Sequence, residues 1–281
     1  MIKQFAKGIL QSPKTYRAVE KLEASVPFLR QWHRMQYQRH FHKIADYERI
    51  FSGVYPDFAT AQSHIPKDRP VGYDNQETAT FLGREAPLQP SEYPVIFWLS
   101  QLLRENATLF DFGGYLGLLY NAYQRFKIFP DDLLWTVYDV PAVVAAGEEI
   151  LKAEPDSHLR FTTSFEEASS ASILLVSGAV HFCEEGFGSV LSRLKTLPTH
   201  LLINKLPATD GSQSFTLNNM GPAISPYKIA NRAEFIASIE SLGYKMIDRW
   251  KNPDMTCYIP FHPDRNVEAF DGFYFRLDDP K

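Results

Sequence analysis

The most distinctive local pattern in the sequence is a glycine-rich turn at residues 111–117. It follows a short apolar stretch that is typical of a strand, and it precedes a helical pattern. Glycine allows a positive φ and a close approach of the backbone to a ligand, and a helix N-terminus carries partial positive charge. The residues that we expect to contact a nucleotide-like cofactor here are Asp111, Gly113, Gly114 and Gly117. The alternative is a tight turn that only packs a helix against a strand.

A second candidate lies about 28 residues further along, where Asp139 ends the next apolar stretch. A carboxylate at the end of a neighbouring parallel strand can accept hydrogen bonds from both ribose hydroxyls of a nucleotide. We expect Val140, the next residue, on the same surface. The alternative is an acid that favours the N-terminus of the following helix.

Four further residues follow the next two expected strands. Ser164 and Phe165 would contact an adenine by its polar edge and its ring, while Ser177 and Gly178 would face the other end of the cofactor, because ligands of open α/β sheets bind at the carboxyl ends of the strands. Ser164 with Glu167 also matches a helix capping box, and the sequence favours neither reading.

Four residues are candidates for contact with the acceptor, the molecule that would react with the cofactor. His181 has a side chain that titrates near neutrality and is a candidate general base, although a packed or solvated histidine is the commoner case. Tyr73, Asp74 and Asn218 are further candidates around the acceptor. Asn218 lies in the long connection 205–230, and connections of this length are usually lids or binding loops.

Short apolar runs alternate with helical patterns from residue 91 onward, which predicts a mostly parallel sheet with crossover helices. The expected strands are 108–111, 134–138, 158–162, 172–177, 200–204, 244–250 and 270–277. The expected helices are 91–106, 141–152, 187–195 and 231–242. The loop between the last two strands has no room for a crossover helix, so the last strand should run antiparallel.

The first fifty residues differ from the rest in charge. They hold ten Lys and Arg against four acids, a charge of about +6, whereas the whole chain has −4. The acidic remainder of about −10 argues against nucleic-acid binding, which requires many bases facing phosphates. We predict a basic helical extension at 1–50, a loop-rich cap at 51–90 and the main α/β domain at 91–281. The extension would contact an anionic membrane or an acidic partner, with Trp32, Tyr37 and Phe41 at the interface, or else pack on the acidic body.

Composition limits the remaining classes of protein. With 281 residues and 44% apolar content the chain can bury a sizeable core. It has no apolar run of membrane-spanning length and no secretory signal pattern, which favours the cytoplasm. Cys183 and Cys257 lie far apart, so we expect free thiols and no metal site.

The glycine turn and the Asp139 segment together resemble the cofactor half of the small-molecule O-methyltransferases. That family has a third adjacent glycine where this chain has Tyr115. The segments 51–55, 72–74, 177–179 and 204–207 extend the resemblance to a bacterial family of methyltransferases often encoded among surface-polysaccharide genes. The resemblance implies the Rossmann-like class I methyltransferase fold, S-adenosylmethionine as cofactor, and a small-molecule or saccharide acceptor. Ser177 and Gly178 would then face the methionine end of the cofactor.

Two other functions remain open on the sequence. One is an NAD-dependent oxidoreductase that modifies sugars, although Asp111 before the glycines and the reversed last strand count against it. The other is a methyltransferase-like module without catalytic activity that organises polysaccharide enzymes.

Overall fold

The computed structural model describes residues 27–42, 50–85 and 87–278. The expectations for 1–26 and 43–49 lie outside these residues. Within them the chain forms eleven strands and eight α-helices. The strands are β1 (Ile50–Tyr55), β2 (Thr108–Phe112), β3 (Leu134–Tyr138), β4 (Leu159–Thr162), β5 (Ile173–Ser177), β6 (His200–Leu206), β7 (Ala208–Thr209), β8 (Ser214–Asn219), β9 (Ile224–Asn231), β10 (Tyr244–Asn252) and β11 (Phe270–Leu277). The helices are α1 (Pro27–Phe41), α2 (Phe58–Ser63), α3 (Gln76–Ala79), α4 (Tyr93–Leu102), α5 (Leu118–Tyr123), α6 (Pro141–Ala153), α7 (Phe187–Leu191) and α8 (Arg232–Glu240).

The main sheet has seven strands in the order β10-β11-β6-β5-β2-β3-β4. Strands β2 to β6 pair in parallel, and β11 runs antiparallel to both of its neighbours, β10 and β6. The expected fold, a Rossmann-like sheet with a reversed last strand, is therefore confirmed. From β2 the chain adds β3 and β4 on one side of the sheet. It then crosses back and adds β5 and β6 on the other side of β2. Such a reversal of strand order leaves a crevice at the carboxyl ends of the two strands.

Both faces of this sheet are covered, which is why its central strands read as continuous apolar runs. On one face Leu109, Trp135 and Leu175 pack against α4 and α5. On the other face Phe110 and Leu174 pack in the cluster that contains α7 and α8. Two helices are shorter than the sequence predicts, since α4 ends at Leu102 and α7 at Leu191.

A second sheet of four strands, β1-β8-β9-β7, corrects two predictions. Residues 50–55 form a strand where loops and short helices were expected, and much of the connection 205–230 is a β-hairpin and not a loop. Strand β1 pairs antiparallel with β8, with Phe51 opposite Asn218. The sequence did not reveal this pairing because the two segments lie far apart in the chain and the exposed-to-buried alternation is missing. All six residues of β8 are buried.

Helix α1 packs on this second sheet through Tyr37 and Phe41, which are both buried. The Tyr37 hydroxyl donates a hydrogen bond to the Phe51 carbonyl at 2.5 Å. These two residues are therefore not available to an outside surface, contrary to the prediction for the basic extension. Trp32 remains half exposed. In the described part of the chain, no helix has the length and apolar character needed to cross a bilayer.

Candidate functional site

The glycine-rich turn lies at the crevice between β2 and β5. Gly113, Tyr115 and Gly117 all have positive φ, at +70°, +55° and +75°. The Gly113 amide donates to the Tyr138 carbonyl at 2.8 Å, which ties the turn to the end of β3. The turn leads directly into α5, with Gly117 as the N-cap residue of that helix.

Two glycines of the turn are required by the packing around them. A Cβ on Gly113 would lie 2.4 Å from the Ala179 Cβ, and one on Gly114 would lie 2.4 Å from Oδ2 of Asp111. The turn thus packs closely against the Asp111 carboxylate and against the loop after β5. Close packing explains these glycines whether or not a ligand binds.

Asp111 is buried beneath the turn, with 1% of its surface exposed. The Trp135 indole Nε1–H donates to its Oδ2 at 3.1 Å, while its Oδ1 has no hydrogen-bond partner among the residues that the structure describes. Burial raises the pKa of Asp111 to about 7, the Trp135 hydrogen bond opposes this shift, and the nearby Asp139 charge adds to it. Asp111 therefore supports the turn from below and has one oxygen left to accept a hydrogen bond.

Asp139 lies at the end of β3 and contacts the backbone of the same turn. Its Oδ2 accepts the Tyr115 amide at 2.9 Å and its Oδ1 accepts the Val140 amide at 2.8 Å. Burial raises the pKa of Asp139 to about 6, the two amides lower it, and Asp74 raises it further. Since each carboxylate oxygen can accept two hydrogen bonds, both oxygens can still bind a hydroxyl.

Tyr115 replaces the third glycine of the resembling motif, and its backbone adopts the left-handed conformation that a glycine would take there. Its ring turns away from the turn and packs beneath residues 73–82. The Tyr115 hydroxyl donates to the Thr78 carbonyl at 2.6 Å and accepts the Leu82 amide at 3.2 Å. The Tyr115 side chain thus holds residues 78–82 next to the turn.

Tyr73 and Asp74 precede residues 78–82 in the chain. The Tyr73 ring meets Tyr115 edge to face at 5.9 Å and Phe182 at 5.6 Å between ring centroids. Asp74 Oδ1 accepts the Ala142 amide at 3.0 Å, in the first turn of α6. Both residues therefore lie beside the turn, and Asp74 also stabilises the helix that follows Asp139. Their predicted role around the acceptor stays a prediction.

The loop after β5 completes the crevice. Gly178 has φ +79°, and its amide donates to the Asn204 carbonyl at 3.0 Å. The Asn204 side chain lies 3.4 Å from the Ser177 hydroxyl. Ser177 and Gly178 thus lie between the turn and the end of β6.

A buried ion pair that was not predicted from the sequence lies next to Gly178. Lys205, which has φ +57°, places its Nζ 2.9 Å from Glu92 Oε1, and both side chains are largely buried. The adjoining polar residues are incompletely satisfied: among the described residues nothing hydrogen-bonds Ser91 Oγ or Asn252 Oδ1. Buried polar atoms of this kind are normally completed by water or a ligand. The positive φ of Lys205, a non-glycine residue, is a local feature of this site. The amino-acid sequence does not indicate that conformation.

His181 follows the same loop and is buried among aromatic rings. Its ring centroid lies 4.1 Å from that of Tyr227 and 4.4 Å from that of Phe182. Tyr227 belongs to β9, so the second sheet covers this end of the crevice. A proton-transfer role for His181 stays a prediction.

The remaining sequence-predicted residues have partners elsewhere. Ser164 donates to Glu166 Oε2 at 2.9 Å and makes no capping bond, so the capping box is absent. Phe165 packs edge to face on Phe112 at 5.6 Å. Asn218 donates to the Ile50 carbonyl at 3.3 Å within the second sheet, and Val140 is the N-cap residue of α6.

The part of the chain that the structure describes contains no group of three or more His, Cys, Asp or Glu side chains that could hold a metal ion. Cys183 and Cys257 are free thiols. The carboxylates of Asp111 and Asp139, backbone amides and the Lys205 ammonium group lie around the crevice.

Comparison with known proteins gives similarity of fold only. No protein-family model matches the chain. No curated protein matches it. Among solved structures, the 1,6-didemethyltoxoflavin-N1-methyltransferase of Burkholderia thailandensis is 14% identical with a TM-score of 0.42, over 69% of this chain and 93% of that one. The CcbJ methyltransferase of Streptomyces caelestis is 10% identical with a TM-score of 0.47, over 74% and 98%. The [4+2]-cyclase SpnF is 10% identical with a TM-score of 0.46, over 79% and 91%.

Proposed function

We propose that this protein is an S-adenosylmethionine-dependent methyltransferase that acts on a small-molecule or saccharide acceptor. One observation carries the proposal: the glycine turn and Asp139 meet at the point where the order of the seven-stranded sheet reverses. Nucleoside cofactors of open α/β sheets bind at such a point, with a carboxylate on the ribose. Within the described residues, Asp111 Oδ1 has no hydrogen-bond partner and the Asp139 oxygens can each accept a further bond, which fits a ligand rich in hydroxyl and amino groups.

S-adenosylmethionine supplies a methyl group on a positively charged sulfur. Asp139 would hold the ribose, Gly113, Gly114 and Gly117 would let the ligand approach the backbone, and Ser164 and Phe165 would contact the adenine. Ser177 and Gly178 would face the methionine end, and His181 would take a proton from the acceptor. Tyr73 and Asp74 would help to exclude water, because alignment of the acceptor in a closed site supplies much of the rate.

S-adenosylhomocysteine should raise the melting temperature of the protein, and NAD should not. At about a hundredfold excess over its Kd, a ligand of the native state adds about 2.7 kcal/mol of stability. In a protein of this size that corresponds to a shift of about 5–10 °C. Differential scanning fluorimetry with each ligand separates the two enzyme classes. A shift with NAD alone would support the oxidoreductase, and binding of S-adenosylmethionine without turnover on any saccharide acceptor would support the silent module.

The proposal extends to the setting of the reaction. The resemblance to methyltransferases of surface-polysaccharide genes suggests a lipid-linked or soluble saccharide acceptor at the cytoplasmic face of the membrane. The exposed side of α1 supports contact with an anionic membrane. Phe28, Trp32 and Met35 lie on it at helical spacing and are 76%, 51% and 51% exposed. Arg30, Arg34 and Arg39 are exposed on the same helix, and such a combination binds anionic lipid surfaces.

Flotation with phosphatidylcholine vesicles, with and without phosphatidylglycerol, tests this contact. The full-length protein should float only with the anionic vesicles and only at low salt. The double variant Phe28→Ser, Trp32→Ser should remain in the soluble fraction, because the apolar part of the stripe is lost. Phe97→Ser is the matched control, since Phe97 is 56% exposed on α4. Equal loss in the control, or no flotation of the parent protein, refutes membrane contact through α1.

A further inference from the structure

A pocket of about 190 Å³ lies between the first turns of α7 and α8, beside the loop that carries His181. Phe187 and Phe235 supply apolar surface, and the His181 ring also lines the pocket. Lys228, Asn231 and Glu234 supply polar groups. Ser177 and Gly178, two of the proposed cofactor residues, precede His181 in the loop after β5.

Lys228 is the only one of these polar side chains that is both charged and buried, with 5% of its surface exposed. Its Nζ donates to the Glu184 carbonyl at 2.9 Å and to the Glu185 carbonyl at 2.6 Å. An ammonium group has three donors, so these two bonds leave one N–H. The Phe215 ring centroid lies 5.7 Å from Nζ, and Lys228 also lines the pocket. Burial lowers the pKa of Lys228, which reflects the cost of keeping this charge away from water.

The charges around Lys228 leave it without a close counter-ion. Among the residues that the structure describes, no carboxylate oxygen lies within ion-pair distance of its Nζ. Glu184 and Glu185 are exposed, and Glu185 instead pairs with Arg193. Burial raises the pKa of Cys183 to about 11, so this neighbouring thiol is neutral. Against the effect of burial, the charges of Glu184 and Glu185 raise the pKa of Lys228, but neither carboxylate forms an ion pair with it. A buried cation is costly unless an anion accompanies it at close range.

We propose that this pocket binds an anionic group of the acceptor, a carboxylate or a phosphate, through the Lys228 ammonium. The inference rests on the proposed methyl transfer, because it assigns the pocket to the acceptor. His181 would then lie between the anionic group and the proposed cofactor crevice. Glu234, exposed at the rim, repels an anion and sets a limit on its affinity.

Three probes with one carbon skeleton test the proposal by calorimetry: glycerol 3-phosphate, glycerate and glycerol. One of the two anions should bind at least about tenfold more tightly than glycerol, the value of one hydrogen bond between charged groups. The tighter anion identifies the group as a phosphate or a carboxylate. Lys228→Gln keeps hydrogen-bond donors for the two carbonyls but removes the charge, and it should abolish the preference.

Controls separate charge from folding. Lys245→Gln removes an exposed lysine from β10 and should leave the preference intact. Lys228→Arg should keep it, and Glu234→Gln should strengthen anion binding about twofold to fivefold because a like charge leaves the rim. Equal binding of the three probes to the parent protein, or an unchanged preference in Lys228→Gln, overturns the inference.

The same variants should be titrated with S-adenosylhomocysteine. Lys228→Gln should bind it as the parent does, because Lys228 lies outside the proposed cofactor residues. Anion binding without S-adenosylhomocysteine binding would refute the methyltransferase and leave an anion site. S-adenosylhomocysteine binding without anion preference would refute only the role of Lys228.

Discussion

Asp139→Ala should weaken the binding of S-adenosylhomocysteine at least about a hundredfold, since two hydrogen bonds to a charged acceptor are worth roughly 1.5–3 kcal/mol each. The carboxylate is ionised above its pKa of about 6, so the titration should be made above that value. Affinity of the parent protein should fall as the pH decreases through this pKa, because a protonated carboxyl has fewer acceptor positions.

Asp132→Ala is the matched control. Asp132 also accepts a hydrogen bond from a backbone amide, that of Asn106 at 2.6 Å. It precedes β3 and therefore lies at the amino end of the strand, whereas Asp139 lies at the carboxyl end. Its removal should leave cofactor affinity unchanged. If Asp139→Ala binds S-adenosylhomocysteine normally and only unfolds more easily, Asp139 has the role of holding the Tyr115 and Val140 amides and no role on a ribose.

Asp271→Asn should lower the free energy of unfolding by about 3 kcal/mol or more, the usual cost of removing one member of a buried ion pair. Asp271 is completely buried, and three cations contact it: Arg232 at 3.0 Å, Arg249 at 3.0 Å and Lys251 at 3.0 Å. Most of the loss should come from Arg232, whose side chain is only 13% exposed, because water screens the other two.

A loss of this size corresponds to a decrease in Tm of about 6–12 °C in a protein of this length. Urea denaturation followed by circular dichroism measures the free energy directly. Asp278→Asn, an exposed acid just after β11, should change it by less than about 0.5 kcal/mol. Similar stability of both variants would mean that solvent satisfies the three cations without Asp271.

Local patterns were sufficient to predict the main sheet. Each parallel strand is followed by a crossover segment, so apolar runs and helical periods must alternate along the chain. The bounds of β3 and β11 were predicted to the residue, because turn residues and charges flank both strands. The glycine turn and Asp139 were also found from local signals, since positive φ and the carboxyl end of a strand each leave a mark in the sequence.

Non-local contacts decided the rest. Strand β1 pairs with a segment more than 150 residues away, and neither segment is marked by alternation of polar and apolar residues. Only the tertiary structure showed that Tyr37 and Phe41 turn inward and that the Tyr115 side chain holds residues 78–82 next to the turn.

The sequence by itself therefore determined the type of sheet, mostly parallel with an antiparallel last strand. It also determined which residues lie at the carboxyl ends of the strands, because both features depend on short-range propensity and pattern. The partners of charged side chains depend on which segments meet in space. The Lys205–Glu92 pair, the three cations on Asp271 and the two carbonyls that Lys228 contacts were therefore visible only in the folded chain.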